Sequence, residues 1–99
     1  MVLVRVIAKT RLKEFWKSHP YAEQPLLNWY KAIREGKWMN LGELKTVFPH
    51  ADQVGHHTVF NIGGNKYRLI AAIHYNTQRV YVRFVLSHSE YDLEKWKDD

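Results

Sequence analysis

The sequence predicts an α+β fold, in which an antiparallel sheet of about four strands packs against two or three helices. Helical spacing of apolar residues dominates the first half of the 99-residue chain, and strand-like alternation dominates the second half. Hydrophobic residues make up 45% of the chain, which is enough for one core, and we expect a single domain over residues 1–99. Cysteine is absent, so disulfides and thiolate metal sites are excluded.

The chain is expected to begin with a strand followed by a helix. The apolar, β-branched segment 2–7 predicts the strand, and it is too short for a signal peptide. Thr10 is the expected N-cap of the first helix, because apolar side chains follow it at spacings of three and four. Pro20 is expected to end this helix.

Two further helices are expected before the chain changes to strands. An apolar stripe at helical spacing predicts one over roughly residues 23–35, with Gly36 at its C-terminal cap. Asn40 followed three residues later by Glu43 resembles a capping box, which predicts a short helix that ends before Pro49.

Three consecutive strands and a last short helix are expected in the second half. The strands cover residues 57–62, 66–75 and 79–86, and glycines in the first connection permit a tight turn. Ser89 is the expected N-cap of the last helix. The antiparallel order of the strands completes the α+β prediction.

Alternation in the last two strands predicts one apolar face against the helices and one exposed face with cations. Strict alternation in the last strand places Tyr81, Arg83 and Val85 opposite Val80, Val82, Phe84 and Leu86. The exposed face is then expected to carry Lys66, Arg68, Arg83 and Tyr81, which could hold a nucleic-acid backbone and stack a base. Cations on an open sheet face also prevent aggregation, so this pattern alone leaves both roles open.

Charge is distributed unevenly along the chain. The formal net charge is +5, with +8 on residues 1–89 and −3 on residues 90–99. A basic body suggests a polyanionic partner such as nucleic acid, although solubilising charge on a small domain is the ordinary alternative. No apolar run approaches the roughly 18 residues that a membrane span requires, so no membrane association is expected.

Metal and cofactor chemistry are not expected. None of the six histidines forms an HExxH motif or a His-x₃-His pair, and the Gly-x-Ser-x-Gly motif of serine hydrolases is also absent. We therefore predict neither a metal site nor a cofactor.

The segment 87–92 contains groups that could carry acid–base chemistry. If it is helical, His88 and Tyr91 lie on about the same side, and both side chains can transfer protons. Nearby Lys and Arg side chains would stabilise a doubly charged phosphorane-like transition state, so these groups could cleave RNA without a metal. A simple capped helix start with two half-buried surface residues explains the same segment, and the residues alone favour that simpler interpretation.

Three blocks of sequence together resemble a known family. They are 59–70 with its Asn65-Lys66-Tyr67-Arg68 run, 80–83, and Ser87-His88-Ser89-Glu90-Tyr91-Asp92. At these separations they are similar to the HigB family of type II toxin–antitoxin toxins, within the RelE-like superfamily. The likeness extends over roughly residues 5–93. One departure is Ser87, where the family usually has threonine, and this change keeps the hydroxyl.

The resemblance implies a RelE-like fold and an endoribonuclease that cleaves mRNA, often on the translating ribosome. By motif, Arg68 would bind phosphate, His88 and Tyr91 would form the acid–base pair, and Asp92 would position them. The resemblance does not fix which member of the pair is the base. Lys66 and Asn65 are expected to contact RNA because they stand in the same block, whereas Arg83 and Tyr81 come from the strand-face argument.

The resemblance also implies partners and a location. The expected partner is a HigA-type helix-turn-helix antitoxin, so operator DNA would be bound only through the toxin–antitoxin complex. The expected substrate is mRNA on the ribosome in the cytoplasm. Two alternatives remain: a non-catalytic RNA- or ribosome-binding inhibitor of translation, and a corepressor that acts only with its antitoxin.

Overall fold

A computed structural model of the chain describes residues 4–98, without the side chain of Asp98. Among these residues the strands are β1 (Arg5–Ile7), β2 (Asp52–Val54), β3 (His57–Ile62), β4 (Tyr67–His74) and β5 (Arg79–Ser87). The helices are α1 (Thr10–Ser18), α2 (Glu23–Glu35), α3 (Leu41–Val47) and α4 (His88–Asp92), with 3₁₀ turns at Pro20–Ala22 and Lys95–Asp98. Residues 2 and 3 of the predicted first strand, and Asp99 of the acidic tail, lie outside the described residues.

The strands form one mixed sheet in the order β1-β5-β4-β3-β2. β1 pairs in parallel with β5, and the other neighbours are antiparallel. The α+β prediction is confirmed. The sheet differs from it by the short strand β2, which a turn at Gly55 (φ 61°) folds back onto β3, and by the parallel edge strand β1.

The helix boundaries agree with the predictions, but two caps differ in detail. Thr10 is the first helical residue of α1 and makes no capping hydrogen bond. Gly36 stands at the C-terminal cap of α2 with φ −87°, and a Cβ there would lie 2.1 Å from the Trp38 ring. Glycine is needed at this position for close approach of the indole rather than for a left-handed turn. Asn40 caps α3 as predicted, accepting a hydrogen bond from the Glu43 N–H at 2.9 Å.

The main core lies between the helices and one face of the sheet, which we call the inner face. Its buried residues come from both layers, with Leu26, Trp29 and Ile33 on α2. The sheet contributes Phe60, Ile62, Leu69, Ala71, Val80 and Val82. No helix within residues 4–98 has the length and apolar character needed to cross a membrane.

A bulge in β5 changes which side chains reach the other, outer face. Val82 pairs with Ala71 and Phe84 pairs with Ile70, so Arg83 is the extra residue at which the register shifts. An extra residue reverses the alternation of the strand beyond it. The prediction of strict alternation is therefore wrong: Val85 packs with the main core, whereas Phe84 and Leu86 join an outer-face cluster with Val59, Ile70 and Trp96.

Candidate active site

Helix α4 begins directly at the end of β5, and a serine fixes its start. The Ser87 hydroxyl accepts the Glu90 N–H at 3.2 Å, and the Glu90 carboxylate accepts the Ser87 N–H at 2.9 Å. This capping box satisfies two N–H groups at the start of a helix of only five residues. The prediction that Ser89 is the N-cap is wrong, because Ser89 lies inside the helix.

The imidazole of His88 is paired with a carboxylate one helical turn away. Its Nδ1 lies 3.0 Å from Oδ2 of Asp92, and both side chains are about half exposed. If Nδ1–H donates to Asp92, Nε2 keeps its lone pair and can accept a proton. The His88 N–H also donates to the Lys66 carbonyl at 3.1 Å, which ties α4 to the residue that precedes β4.

Arg68 lies in β4 beneath this helix and is buried. Arg68 is only 9% exposed to solvent, so the prediction of an exposed Arg68 is wrong. Its Nη2 donates to Oδ1 of Asn65 at 2.5 Å, and its Nη1 donates to the Tyr67 carbonyl at 3.1 Å. These bonds use two of the five N–H donors of the guanidinium, and they fix its plane.

The ring of Tyr91 covers Arg68. The guanidinium carbon of Arg68 is 5.4 Å from the centroid of the Tyr91 ring, which is cation–π distance. The cover accounts for the burial of Arg68, because the outer face is otherwise without a helix at this point.

Trp96 holds Tyr91 in this position, and the sequence patterns did not predict it. The two rings stack with centroids 5.2 Å apart and planes inclined by 14°, and Nε1 of Trp96 donates to the Tyr91 carbonyl at 3.1 Å. Trp96 is only 4% exposed, within a segment whose neighbours Lys95 and Lys97 are exposed. A lone tryptophan in a charged tail is the signal that could have drawn attention to it.

The structure thus brings six of the eight predicted site residues together. Asn65, Lys66, Arg68, His88, Tyr91 and Asp92 are connected by the contacts described above. Lys66 itself lies in the turn before β4 and is exposed, as expected.

Tyr81 and Arg83 lie elsewhere on the sheet. Tyr81 pairs with Ala72, four residues from Arg68, which is about 13 Å along a strand. Arg83 is exposed at the bulge, and its carbonyl accepts a hydrogen bond from Arg11 at 3.0 Å. Tyr81 thus lies away from the cluster around α4, and the role of both residues in RNA binding stays a prediction.

Lys97, beyond α4, contacts both Glu94 and the site, since its Nζ lies 5.7 Å from the centroid of the Trp96 ring. A hydrogen bond from Lys97 to Glu94 at 2.9 Å raises the pKa of this exposed lysine. Within residues 4–98, no group of three or more His, Cys, Asp or Glu side chains is arranged to hold a metal ion.

Comparison with known proteins gives consistent matches over most of the chain. The model of a family described as "HigB_toxin, RelE-like toxic component of a toxin-antitoxin system" matches residues 22–94, which include every predicted site residue. The chain is 33% identical over 93 residues to "mRNA interferase toxin HigB" of Escherichia coli K12, covering 91% of this chain and 89% of the relative. The "mRNA interferase HigB" of Shigella flexneri has the same identity and coverage. That of Escherichia coli O6:H1 is 29% identical over 92 residues, covering 90% of this chain and 89% of the relative.

Proposed function

The chain belongs to the HigB family of RelE-like toxic components of toxin–antitoxin systems, and on this premise we propose that it is an endoribonuclease that cleaves mRNA. The relatives at 33% identity are named mRNA interferases, and they are aligned over about nine tenths of this chain. The single observation that carries the proposal within this chain is the cluster in which Arg68, Tyr91 and the His88–Asp92 pair meet around α4.

The reaction proposed is transfer of the phosphodiester to the neighbouring 2′-oxygen, without a metal. A base removes the proton of the 2′-hydroxyl, and the 2′-oxygen forms a bond to phosphorus. The bond from phosphorus to the 5′-oxygen breaks, and an acid protonates that oxygen. The products are a 2′,3′-cyclic phosphate and a 5′-hydroxyl, so the overall step neither gains nor loses a proton.

His88 supplies one proton-transfer group in this proposal. The carboxylate of Asp92 at 3.0 Å orients the ring and stabilises the imidazolium that forms after proton uptake. This pairing favours His88 as the base, with Nε2 facing the 2′-hydroxyl.

Tyr91 and Arg68 supply the acid and the charge stabilisation. The guanidinium beside the Tyr91 ring stabilises the phenolate that remains after the phenol protonates the leaving oxygen. The N–H donors of Arg68 outside its bonds to Asn65 and Tyr67 can hold a phosphate oxygen as negative charge develops. Lys66, exposed in the turn before β4, adds a cation for the RNA backbone.

An antitoxin is the partner that membership of the family implies. We propose that this antitoxin is of the HigA type with a helix-turn-helix, that operator DNA is bound only through the toxin–antitoxin complex, and that the toxin acts on ribosome-bound mRNA in the cytoplasm. A basic body with net charge +8 over residues 1–89 suits an encounter with the ribosome, which is rich in RNA.

The test is cleavage of a defined mRNA in a translation extract and, separately, as purified RNA without ribosomes. Wild type should cut in the extract, and His88→Gln and Arg68→Ala should lose about a hundredfold or more of that activity. Lys45→Ala, which removes an exposed cation on α3 far from α4 in the chain, should cut like wild type. Equal cutting by all variants, or no cutting by folded wild type, would contradict the assignment.

A non-catalytic inhibitor of translation is the second candidate, since several cations lie away from α4, Arg83 among them. It predicts growth arrest with intact mRNA. It also predicts that arrest survives loss of His88 and Tyr91 but not loss of Lys66 and Arg68. Mapping of mRNA ends after induction therefore separates the two functions.

A further inference from the structure

A row of basic side chains crosses the outer face at the end of the sheet remote from α4. The register aligns Arg5 of β1 with Arg79 of β5, and Arg79 with His74 of β4. Residues aligned across neighbouring strands lie about 5 Å apart on the same face. All three are exposed. We call Arg5, Arg79 and His74 the basic row.

Among the described residues, no acidic side chain neutralises the arginines of this row. Neither Arg5 nor Arg79 has an acidic partner within ion-pair distance in the part of the chain that the structure describes. The ion pairs of the described residues include His88–Asp92 and Lys97–Glu94. Like charges directly opposite each other on a sheet are destabilising. We therefore expect the row to lower the stability of the fold rather than raise it, as residues that serve a ligand often do.

An aromatic pair adjoins the basic row. The ring of Tyr81 meets the ring of His74 edge to face, with centroids 5.1 Å apart. Tyr81 is half-buried and aligns with Ala72, which has a small side chain. Such a platform can stack a nucleic-acid base while neighbouring cations hold phosphates.

We propose that the basic row and Tyr81 form a second RNA-binding site, which holds the backbone of the substrate on the same face as Arg68. His74 is six residues from Arg68 in β4, so the two sites are about 20 Å apart along the strand. RNA is favoured over an acidic protein segment because the aromatic pair offers a stacking surface that carboxylates do not use. The inference rests on the proposed function, since it extends the path of the same substrate.

The direct test is equilibrium binding of a fluorescent single-stranded 2′-O-methyl RNA, which lacks the attacking hydroxyl and cannot be cut. Binding is measured over a series of salt concentrations for wild type, Arg5→Gln/Arg79→Gln and Tyr81→Leu. The double variant should bind more weakly, and its slope of log K against log salt should be smaller by about 0.7 for each phosphate that it no longer neutralises. Tyr81→Leu should lose about fivefold or more in affinity, with an unchanged salt slope.

Controls separate RNA binding from folding and from general charge. Lys45→Gln removes one exposed cation on α3 and should leave the affinity nearly unchanged. The double variant should melt at or above the wild-type temperature, because it removes two opposed cations. A lower melting temperature together with weaker binding would mean that the row is structural, and would overturn the proposal.

Two other outcomes would also overturn it. One is wild-type affinity and salt slope in the double variant. The other is a double variant whose affinity for polyglutamate falls by as much as its affinity for RNA, or by more. That result would assign the row to binding of an acidic protein. Cleavage in the translation extract is measured in parallel: if wild type does not cut, the proposed function fails, whereas the RNA-binding result still decides this inference.

Discussion

The indole of Trp96 lies parallel to the phenol ring of Tyr91, and its N–H donates to the carbonyl of the same tyrosine. The Tyr91 carbonyl also accepts the Glu94 N–H at 3.0 Å, so the end of α4 is fixed by one side chain and one backbone group. A helix of five residues with no buried residue of its own cannot persist by helix propensity. The proposed acid is therefore placed by a residue outside the helix that carries it.

Replacing Trp96 should lower the activity without abolishing folding. Trp96→Leu still covers Val59 and Ile70, but it cannot stack on Tyr91 or donate to its carbonyl. We expect kcat for mRNA cleavage to fall roughly tenfold to a hundredfold, with KM little changed, because small misplacement of a reacting group is costly. The kcat of Trp96→Phe should lie between the kcat of Trp96→Leu and that of wild type.

The matched control for Trp96 is Leu93→Ala in the same segment, where the side chain is 65% exposed. It should keep wild-type kcat. If kcat of Trp96→Leu equals that of wild type once both are shown to be folded, Trp96 has no positioning role.

Two serines near the start of α4 should respond differently to truncation. Ser87→Ala removes the hydroxyl of the capping box and should cost about 1 kcal/mol of stability, with some loss of activity as α4 frays. Ser89→Ala should change stability by less than about 0.5 kcal/mol, since its hydroxyl lies 3.3 Å from that of Ser87 and caps no helix N–H. Urea denaturation of both variants measures the difference, and Ser87→Thr should retain the cap.

Removing the charge of Asp92 should slow the chemical step. Asp92→Asn keeps the shape of the side chain but withdraws the carboxylate that faces Nδ1 of His88. We expect single-turnover cleavage to slow by roughly tenfold, less than for a buried orienting carboxylate because this pair is half exposed. Asp52→Asn, an exposed carboxylate on β2, should cut at the wild-type rate. Equal rates for the two variants would remove Asp92 from the mechanism.

Alkaline pH should weaken the fold through Tyr75. Burial raises the pKa of Tyr75 above its usual value of 10.0, so the native state holds its proton longer than the unfolded state does. The stability linked to this group is fully present below pH 10.0 and is lost as the pH rises through the raised pKa. The buried hydroxyl also has no hydrogen-bond partner within the described part of the chain.

Tyr75→Phe should therefore flatten the loss of stability above pH 10.0. At neutral pH it should leave stability unchanged or raise it by up to about 1 kcal/mol, because no hydrogen bond is lost. Chemical denaturation at several pH values measures both effects. Tyr21→Phe, at an 85% exposed tyrosine, should keep the wild-type alkaline profile, and a steeper profile for Tyr75→Phe would refute the explanation.

Sequence reasoning succeeded where the signal is local. The boundaries of α2 follow from apolar residues at helical spacing, and Asn40 caps α3 because its side chain reaches an N–H three residues away. The prediction of the α4 cap failed because Ser87 and Ser89 both carry a hydroxyl that could cap the helix. The end of β5 at Ser87 makes Ser87 the N-cap. Whether a cap is used depends on where the preceding strand ends.

The failures at the site itself come from contacts between distant residues. Arg68 belongs to a strand whose pattern predicts an exposed side chain. It is covered by Tyr91, which lies more than twenty positions later in the chain and is itself stacked on Trp96. Trp96 lies in a charged stretch without apolar periodicity, so no pattern indicates its burial. The sequence predicts which side chains react, whereas their shielding depends on tertiary packing.

The bulge at Arg83 in β5 has a consequence for the reacting groups several positions away. If β5 paired regularly through Arg83, without the bulge, Phe84 and Leu86 would turn to the same side as Val80 and Val82, and the far side of the sheet would lose these two apolar side chains. The indole of Trp96 would then keep Val59 and Ile70 but lose Phe84 and Leu86 from its cluster, and the anchor of the short helix would be weaker. A single additional residue in one strand thus gives the sheet a second apolar side, and the proposed catalytic groups are assembled on that side.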